Sequence, residues 1–198
     1  MSDGNTRQKL LQAGLELMLS QGYSATAIDQ VCSSAGVSKG SFYHFFSTKE
    51  EFGLAVLDAF YQRGVARVEE GEYTEVADSR QRLLAFFDHM EEIAPELWRH
   101  GCLLGSFASE LADSSPPIRA RVGELFDGLE EKLLPVFLGV AGDREEARDL
   151  ANEMLALLEG TIVIARAHGE PDRIGEAVRR FRRSVVARNP ELEGVALE

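Results

Sequence analysis

The residues of this chain best suited to chemistry lie close together near its start. Ser38, Lys39, Ser41, Tyr43 and His44 fall within seven positions, with Gly40 among them and Lys49 shortly after. Lys39 supplies charge. The hydroxyls of Ser38, Ser41 and Tyr43, and the ring of His44, can hydrogen-bond phosphate oxygens or base edges. Gly40 lets one backbone approach another closely. Thr26 offers one more hydroxyl upstream. Ser47-Thr48-Lys49-Glu50 opens a helix whose unpaired N–H groups and positive dipole end favour an anion, with Lys49 beside it. This chemistry is polyanion binding rather than bond making. The alternative is an ordinary solvated face on a small helical hairpin.

The elements that must position these groups are legible in the same stretch. Ile28, Val31, Cys32 and Ala35 recur at i, i+3, i+4 and i+7, one face of a short helix. Gly36 follows and can take the left-handed conformation that ends a helix. Val37 is an apolar plug. Ser38 is a plausible N-cap for a second helix that turns Phe42 and Phe46 inward. Helix, glycine-containing turn, helix is the helix-turn-helix pattern, whose second helix enters the DNA major groove. The reading assigns phosphate contacts to Thr26, Ser38, Tyr43, His44 and Lys49, and an approach to base edges to Ser38, Lys39 and Ser41.

The run Ala-Gly-Val-Ser-Lys-Gly-Ser-Phe-Tyr-His-Phe-Phe-Ser-Thr-Lys-Glu-Glu-Phe, residues 35–52, resembles the DNA-binding signature of TetR-type transcriptional repressors. The resemblance is strong over roughly residues 5–60 and downstream is one of helix plan. Cys32 stands where alanine is usual in that family. Ser41 stands where threonine, serine and alanine alternate, so a base preference does not carry over. The resemblance implies an all-α fold of about nine helices: a DNA-binding domain over 1–47, whose three helices include the helix-turn-helix, and a helical effector-binding and dimerisation domain over 48–198. It implies a cytoplasmic repressor that binds a palindromic operator as a homodimer and leaves it when a small-molecule or electrophile effector binds. No cofactor is implied.

Charge agrees with a local reader on an acidic body. The net charge is −12, yet residues 1–50 carry four basic and four acidic side chains, so the whole excess lies in residues 51–198. Such a body repels DNA and discourages wrong docking. No run is long and apolar enough to span a bilayer, and the N-terminus has no signal-peptide pattern. Cys32 and Cys102 fall in different elements and are expected to be reduced.

Periodicity continues the helix plan. A first helix runs from a cap at Thr6 or Asn5 to about Ser20, with Leu10, Leu11, Gly14, Leu17 and Met18 inward. Arg7 and Lys9 stand near its start, where the family's N-terminal arm often approaches DNA. The fourth helix, from about Thr48 to Glu69, carries Phe52, Ala55, Val56, Ala59 and Phe60 and has no proline, so it can act as a lever from body to head. A fifth starts at Asp78 or Ser79 and is expected to break at Pro95. A short helix follows Gly101-Cys102-Leu103. A long one has Pro116-Pro117 in its first turn. Asp143-x-x-Glu146 resembles a capping box for the eighth. Asp172 starts the ninth, and from Asn189 on the chain is expected to fray. Arg179, Arg180, Arg182 and Arg183 read as a solvated face with acidic neighbours.

The last two helices have apolar faces too broad for one seam, which points to a four-helix dimer interface. Its expected residues are Leu158, Thr161, Ile162, Ala165, Val178, Phe181 and Val185, with Gly160 allowing close approach. The family's effector pocket, carried over, draws on Phe86, Phe87, Met90, Trp98, Cys102, Phe107, Phe126 and Glu159; each is equally a core residue by type. Gly-Cys-Leu at 101–103 resembles the electrophile-sensing, N-ethylmaleimide-responsive branch. Cys102 near Arg99 and His100 at a helix start is either a reactive thiolate or an inert filler of a small apolar slot. A thiol enzyme built on Cys102 and His100 lacks an adjoining acidic orienting residue. No phosphate loop, serine-hydrolase elbow or metal-ligand spacing occurs. A protein-interaction module without DNA binding would have no use for Lys39, Tyr43, His44 and Lys49.

Overall fold

The computed structural model describes the backbone of residues 3–192 and the side chains of residues 4–192; the N-terminal residues 1–2 and the stretch 193–198 of the expected frayed end lie outside them. The described residues form nine α-helices, two short 3-10 turns and no strand: α1 (Asp3–Gln21), α2 (Ile28–Ala35), α3 (Lys39–Phe45), α4 (Lys49–Glu69), α5 (Ser79–Leu97), α6 (Leu103–Leu111), α7 (Pro116–Phe137), α8 (Arg144–His168) and α9 (Asp172–Arg188). They gather into two compact units. One holds residues 1–63 and 102–126, the other 64–101 and 127–198. Two of the divisions fall inside α4 and α7, and the third between α5 and α6.

The first unit has an aromatic centre. Phe42, Phe46 and Phe52 pack with ring centroids 5.0–5.6 Å apart, edge or tilted, the arrangements aromatic pairs favour. Leu10 and Met18 of α1, Val31 of α2 and Val56 of α4 are among the residues buried with them. The second unit has its own aromatic core, in which Phe87 of α5, Phe137 of α7 and Phe181 of α9 form a triangle with 6.0–6.2 Å edges. Its surface is laced by Arg179–Glu91, Arg182–Asp88 and Arg180–Glu176 pairs, so three of the four arginines of the α9 run face acidic neighbours.

Several local expectations change. α1 already begins at Asp3, which puts Asn5 and Thr6 inside its first turns rather than at a cap. Pro95 does not stop α5, which continues to Leu97. A proline removes the N–H that would bond the carbonyl of Glu91, but only the last turn is affected. α9 crosses there so closely that a Cβ on Gly175 would lie 2.8 Å from that carbonyl oxygen. Asp143 caps α8 by accepting from the Glu146 N–H at 2.9 Å, but Glu146 returns to the Gly142 N–H, one residue earlier than a capping box would place it. Asn189 ends α9, and residues 190–192 form a 3-10 turn with Leu192 buried, so this part of the expected fray is packed.

The dimer residues named from periodicity also need correction. All seven, Leu158, Thr161, Ile162, Ala165, Val178, Phe181 and Val185, are 8% exposed or less within the single chain. They form the inner face of α8 and α9. Periodicity located a broad apolar surface on each helix, and these residues are its inward half.

Candidate nucleic-acid interface

The second helix and its exit are built as the residue types demand. Gly36 sits at φ 65°, ψ 36°, where a side chain would be strained, and its neighbour Val37 returns its N–H to the Cys32 carbonyl at 3.0 Å. Ser38 then caps α3, its hydroxyl accepting from the Ser41 N–H at 3.1 Å and lying 2.9 Å from the Ser41 hydroxyl. The entrance to α2 carries a device that the sequence reading missed: the Gln30 carboxamide accepts from the Ala27 N–H at 2.8 Å, the returning half of a capping box whose other half an alanine side chain cannot supply.

α3 is anchored from one side only. Phe42 is fully buried, and Phe46 is buried just beyond the helix end. The other side is open: Ser38, Lys39, Gly40, Tyr43 and His44 are exposed, and Ser41 half-buried. Tyr43 is 51% exposed, unusual for a large aromatic ring, while its inner edge rests on Phe42 with centroids 5.4 Å apart. His44 rests against Phe45 at 4.9 Å. Arg7, near the start of α1, stacks over Phe46 at 5.6 Å and stays exposed.

Three site residues stand differently from their expectation. Thr26 is 1% exposed, and its hydroxyl donates to the Gly22 carbonyl at 2.7 Å. Thr26 therefore ties the turn between α1 and α2 instead of offering a hydroxyl to phosphate. The Lys49 ammonium donates to the Ser24 carbonyl at 3.2 Å and lies 4.4 Å from the Tyr23 ring centroid; burial pushes its pKa down, partly offset by the nearby Glu110 charge. Lys39 pairs with Asp29 at 2.6 Å, and that hydrogen bond holds its pKa up. At the start of α4, Thr48 accepts from the Glu51 N–H at 3.0 Å, so one of the first-turn N–H groups is already used, and the Glu51 carboxylate, which accepts from the Ser47 N–H at 2.7 Å, stands at the same helix start.

The eight residues of the expected effector pocket fall in both units. Phe86, Phe87, Met90, Trp98 and Glu159 belong to the second, Cys102, Phe107 and Phe126 to the first. Phe86, Phe87, Met90 and Phe107 are 2% exposed or less, in tight packing. A groove of about 380 Å³ on the second unit is lined by Asp88, Glu91, Glu92 and Glu176 beside Arg179 and contains none of the eight. Cys102 is buried just ahead of α6, its carbonyl accepting from the Ser106 N–H and hydroxyl. Arg99 is turned to Glu96. Among the described residues no group of three or more His, Cys, Asp or Glu side chains could hold a metal ion, and no helix is long and apolar enough to cross a membrane.

Residues 10–56 match the family of bacterial regulatory proteins of the TetR type, and residues 80–179 match the C-terminal domain of LmrA/YxaF-like transcriptional regulators. The transcriptional regulator AcuR of Cereibacter sphaeroides is 30% identical over 93% of this chain and 87% of its own length. The transcriptional repressor DhaR of a Mycobacterium species is 32% identical over 76% of the chain and 74% of its own length. The transcriptional repressor NemR of Escherichia coli is 32% identical over 60% of each. A solved TetR regulatory protein from Rhodobacter sphaeroides superposes with a TM-score of 0.76 at 27% identity, covering 89% of this chain and 96% of that one. With a one-sided recognition helix in the matched N-terminal region and relatives that are transcriptional regulators, the chain belongs to the TetR family and is a DNA-binding transcriptional regulator.

Proposed function

We propose that this regulator is a cytoplasmic repressor that binds a palindromic operator as a homodimer and releases it when a small molecule binds the domain over residues 48–198. One observation carries the paired arrangement. Four large apolar side chains among the described residues are conspicuously exposed, and three of them stand on two faces that would need covering. Tyr43 stands on α3, where DNA would lie. Val163 and Ile164, 68% and 52% exposed, stand on α8 in line with exposed Ala156, Gly160 and Ala167 at helical spacing. The small residues allow a second α8 to approach closely, and a two-fold pair sets two α3 helices on one duplex.

On this reading Ser38, Lys39 and Ser41 approach base edges, and Tyr43 and His44 set the register on phosphates. Lys49 contributes charge near the duplex while its ammonium holds the turn at Ser24. The continuous α4 is the lever by which effector binding alters the spacing of the reading heads. The names of NemR and DhaR as repressors support the negative sign. Selection of duplexes from a random pool with purified protein, followed by footprinting, tests this reading. Two protected half-sites related by a dyad are expected, and a single unpaired footprint at saturating protein would overturn the dimeric reading.

A further inference from the structure

The α1–α2 turn is gripped by a residue far away in sequence. Gly22 turns the chain at φ 87°. The next two amides then point at one carboxylate of α6: the Tyr23 N–H donates to Glu110 Oε2 at 2.9 Å, and the Ser24 N–H donates to Oε1 at 2.6 Å. Each oxygen takes one amide, the geometry of a bidentate, charge-assisted pair. The Ser24 carbonyl, in the next peptide link, is held by the Lys49 ammonium of α4. The Tyr23 ring lies against the edge of Phe107 from α6, at 5.4 Å and 72°. It also closes on α4, where a Cβ on Gly53 would meet it at 2.8 Å. Thr26 then shuts the turn onto Gly22, and α2 begins at Ile28.

Two more polar links join residues 102–126 to α4 within the same compact unit. The Ser115 hydroxyl donates to Glu50 at 2.7 Å, and the Arg121 guanidinium donates to Asp58 at 2.8 Å. The orientation of the α2–α3 hairpin therefore depends on a turn whose backbone is fixed by α6.

We propose that Glu110 is a positioning residue for DNA binding: its carboxylate, divided between the Tyr23 and Ser24 amides, fixes the entry angle of the helix-turn-helix and makes α6 a working part of the reading head. This rests on the reading that the exposed face of α3 binds DNA. Electrostatics alone makes the opposite forecast. Glu110 is an acidic group in a DNA-binding unit, so removing its charge would tighten binding to a polyanion. Positioning requires that removing it weakens binding.

Glu110→Gln separates the two. A carboxamide can accept from one of the two amides but turns its own N–H groups toward the other. With duplexes recovered by selection on the wild-type protein, Glu110→Gln is expected to lose about tenfold in affinity. Glu110→Asp, which keeps the charge but withdraws it by one methylene, is expected to lose a comparable factor. An unchanged or tighter affinity for Glu110→Gln would overturn the proposal. Hydrogen exchange on the unmodified protein stands apart from any folding defect in the variants. The Tyr23 and Ser24 amides are expected to be protected like those of neighbouring α1, and rapid exchange at both would also overturn it. Tyr43→Ala measured on the same duplexes keeps the underlying reading distinguishable. If that variant binds as wild type does, the α3 reading has failed, whatever Glu110 does.

Discussion

The same substitution at two helical glycines should have opposite effects. Gly14 lies in α1, and a Cβ built there would sit 2.4 Å from Phe52 Cζ, 2.8 Å from Phe52 Cε1 and 3.0 Å from Val56 Cγ2. The ring cannot step aside, because Phe52 is 1% exposed and locked between Phe42 and Phe46 at 5.1 and 5.0 Å. Gly123 lies in α7 with nothing within 4 Å of the same construction. In both places alanine gains about 0.8–1 kcal/mol of helix propensity. At Gly14 overpacking costs about 1–3 kcal/mol. Gly123→Ala should therefore stabilise by about 1 kcal/mol, and Gly14→Ala should destabilise by up to about 2 kcal/mol. For a chain of this size each kcal/mol shifts the melting temperature by about 2–4 °C. Thermal melts at one fixed protein concentration, which cancels the mass-action term of any dimer, should put the two variants on opposite sides of wild type. Because Phe52 supports Phe42, the anchor of α3, Gly14→Ala should also weaken DNA binding while Gly123→Ala leaves it unchanged. A rise in melting temperature for Gly14→Ala would refute the close approach of α1 and α4 and the core that depends on it.

Other outcomes follow from single contacts. Val163→Asp puts a charge on the exposed stripe of α8; sedimentation should then find a monomer of unchanged helicity, and a persisting dimer would rule out that face. Asp29→Asn frees Lys39 from its carboxylate partner; unspecific duplex binding at low salt should tighten about two- to fivefold, the worth of an exposed pair, and unchanged binding would mean that Lys39 does not approach the duplex. Glu91 and Glu130 titrate below the ordinary glutamate range because Arg179 and Arg148 donate to them. Burial alone would raise Glu110, but its bonds from Ser24 and Tyr23 and the Lys49 charge together hold it down. All three bind protons more weakly folded than unfolded. The stability they lend is complete above the ordinary glutamate value and is lost as pH falls below about 4; a urea midpoint that rose on such acidification would contradict the assignment. Cys102, being buried, should react with a maleimide far more slowly in the native protein than in denaturant. Rapid native labelling by intact mass would instead support an electrophile-sensing role.

The reading head was legible because its determinants are local. Gly36, Ser38 and the Phe42/Phe46 pair act within one or two helical turns, and a cap or a stripe looks the same in sequence as in space. The expectations that changed involve either a choice between equivalent local patterns or a partner far along the chain. The apolar breadth of α8 was visible, but periodicity does not say which half faces inward; Leu158 and Ile162 turned in, Val163 and Ile164 out. Thr26 has the right residue type for phosphate, yet the carbonyl of Gly22 claims its hydroxyl. Pro95 would end a helix in isolation, but it falls in a last turn packed beneath Gly175. Glu110 gave no sequence signal at all. It is one of the 33 acidic residues of the chain, and only the fold brings it to amides 86 and 87 residues away.

The most direct test of the central claim is quantitative footprinting on a selected duplex with wild-type protein and a Lys39→Ala, Tyr43→Ala, His44→Ala triple variant of unchanged melting temperature. Two protected half-sites centred about one helical turn, roughly 34–36 Å, or a multiple of it apart are expected with wild type, and loss of both together in the variant. Protection by the variant equal to that of wild type would show that DNA is held by some other surface than the exposed face of α3.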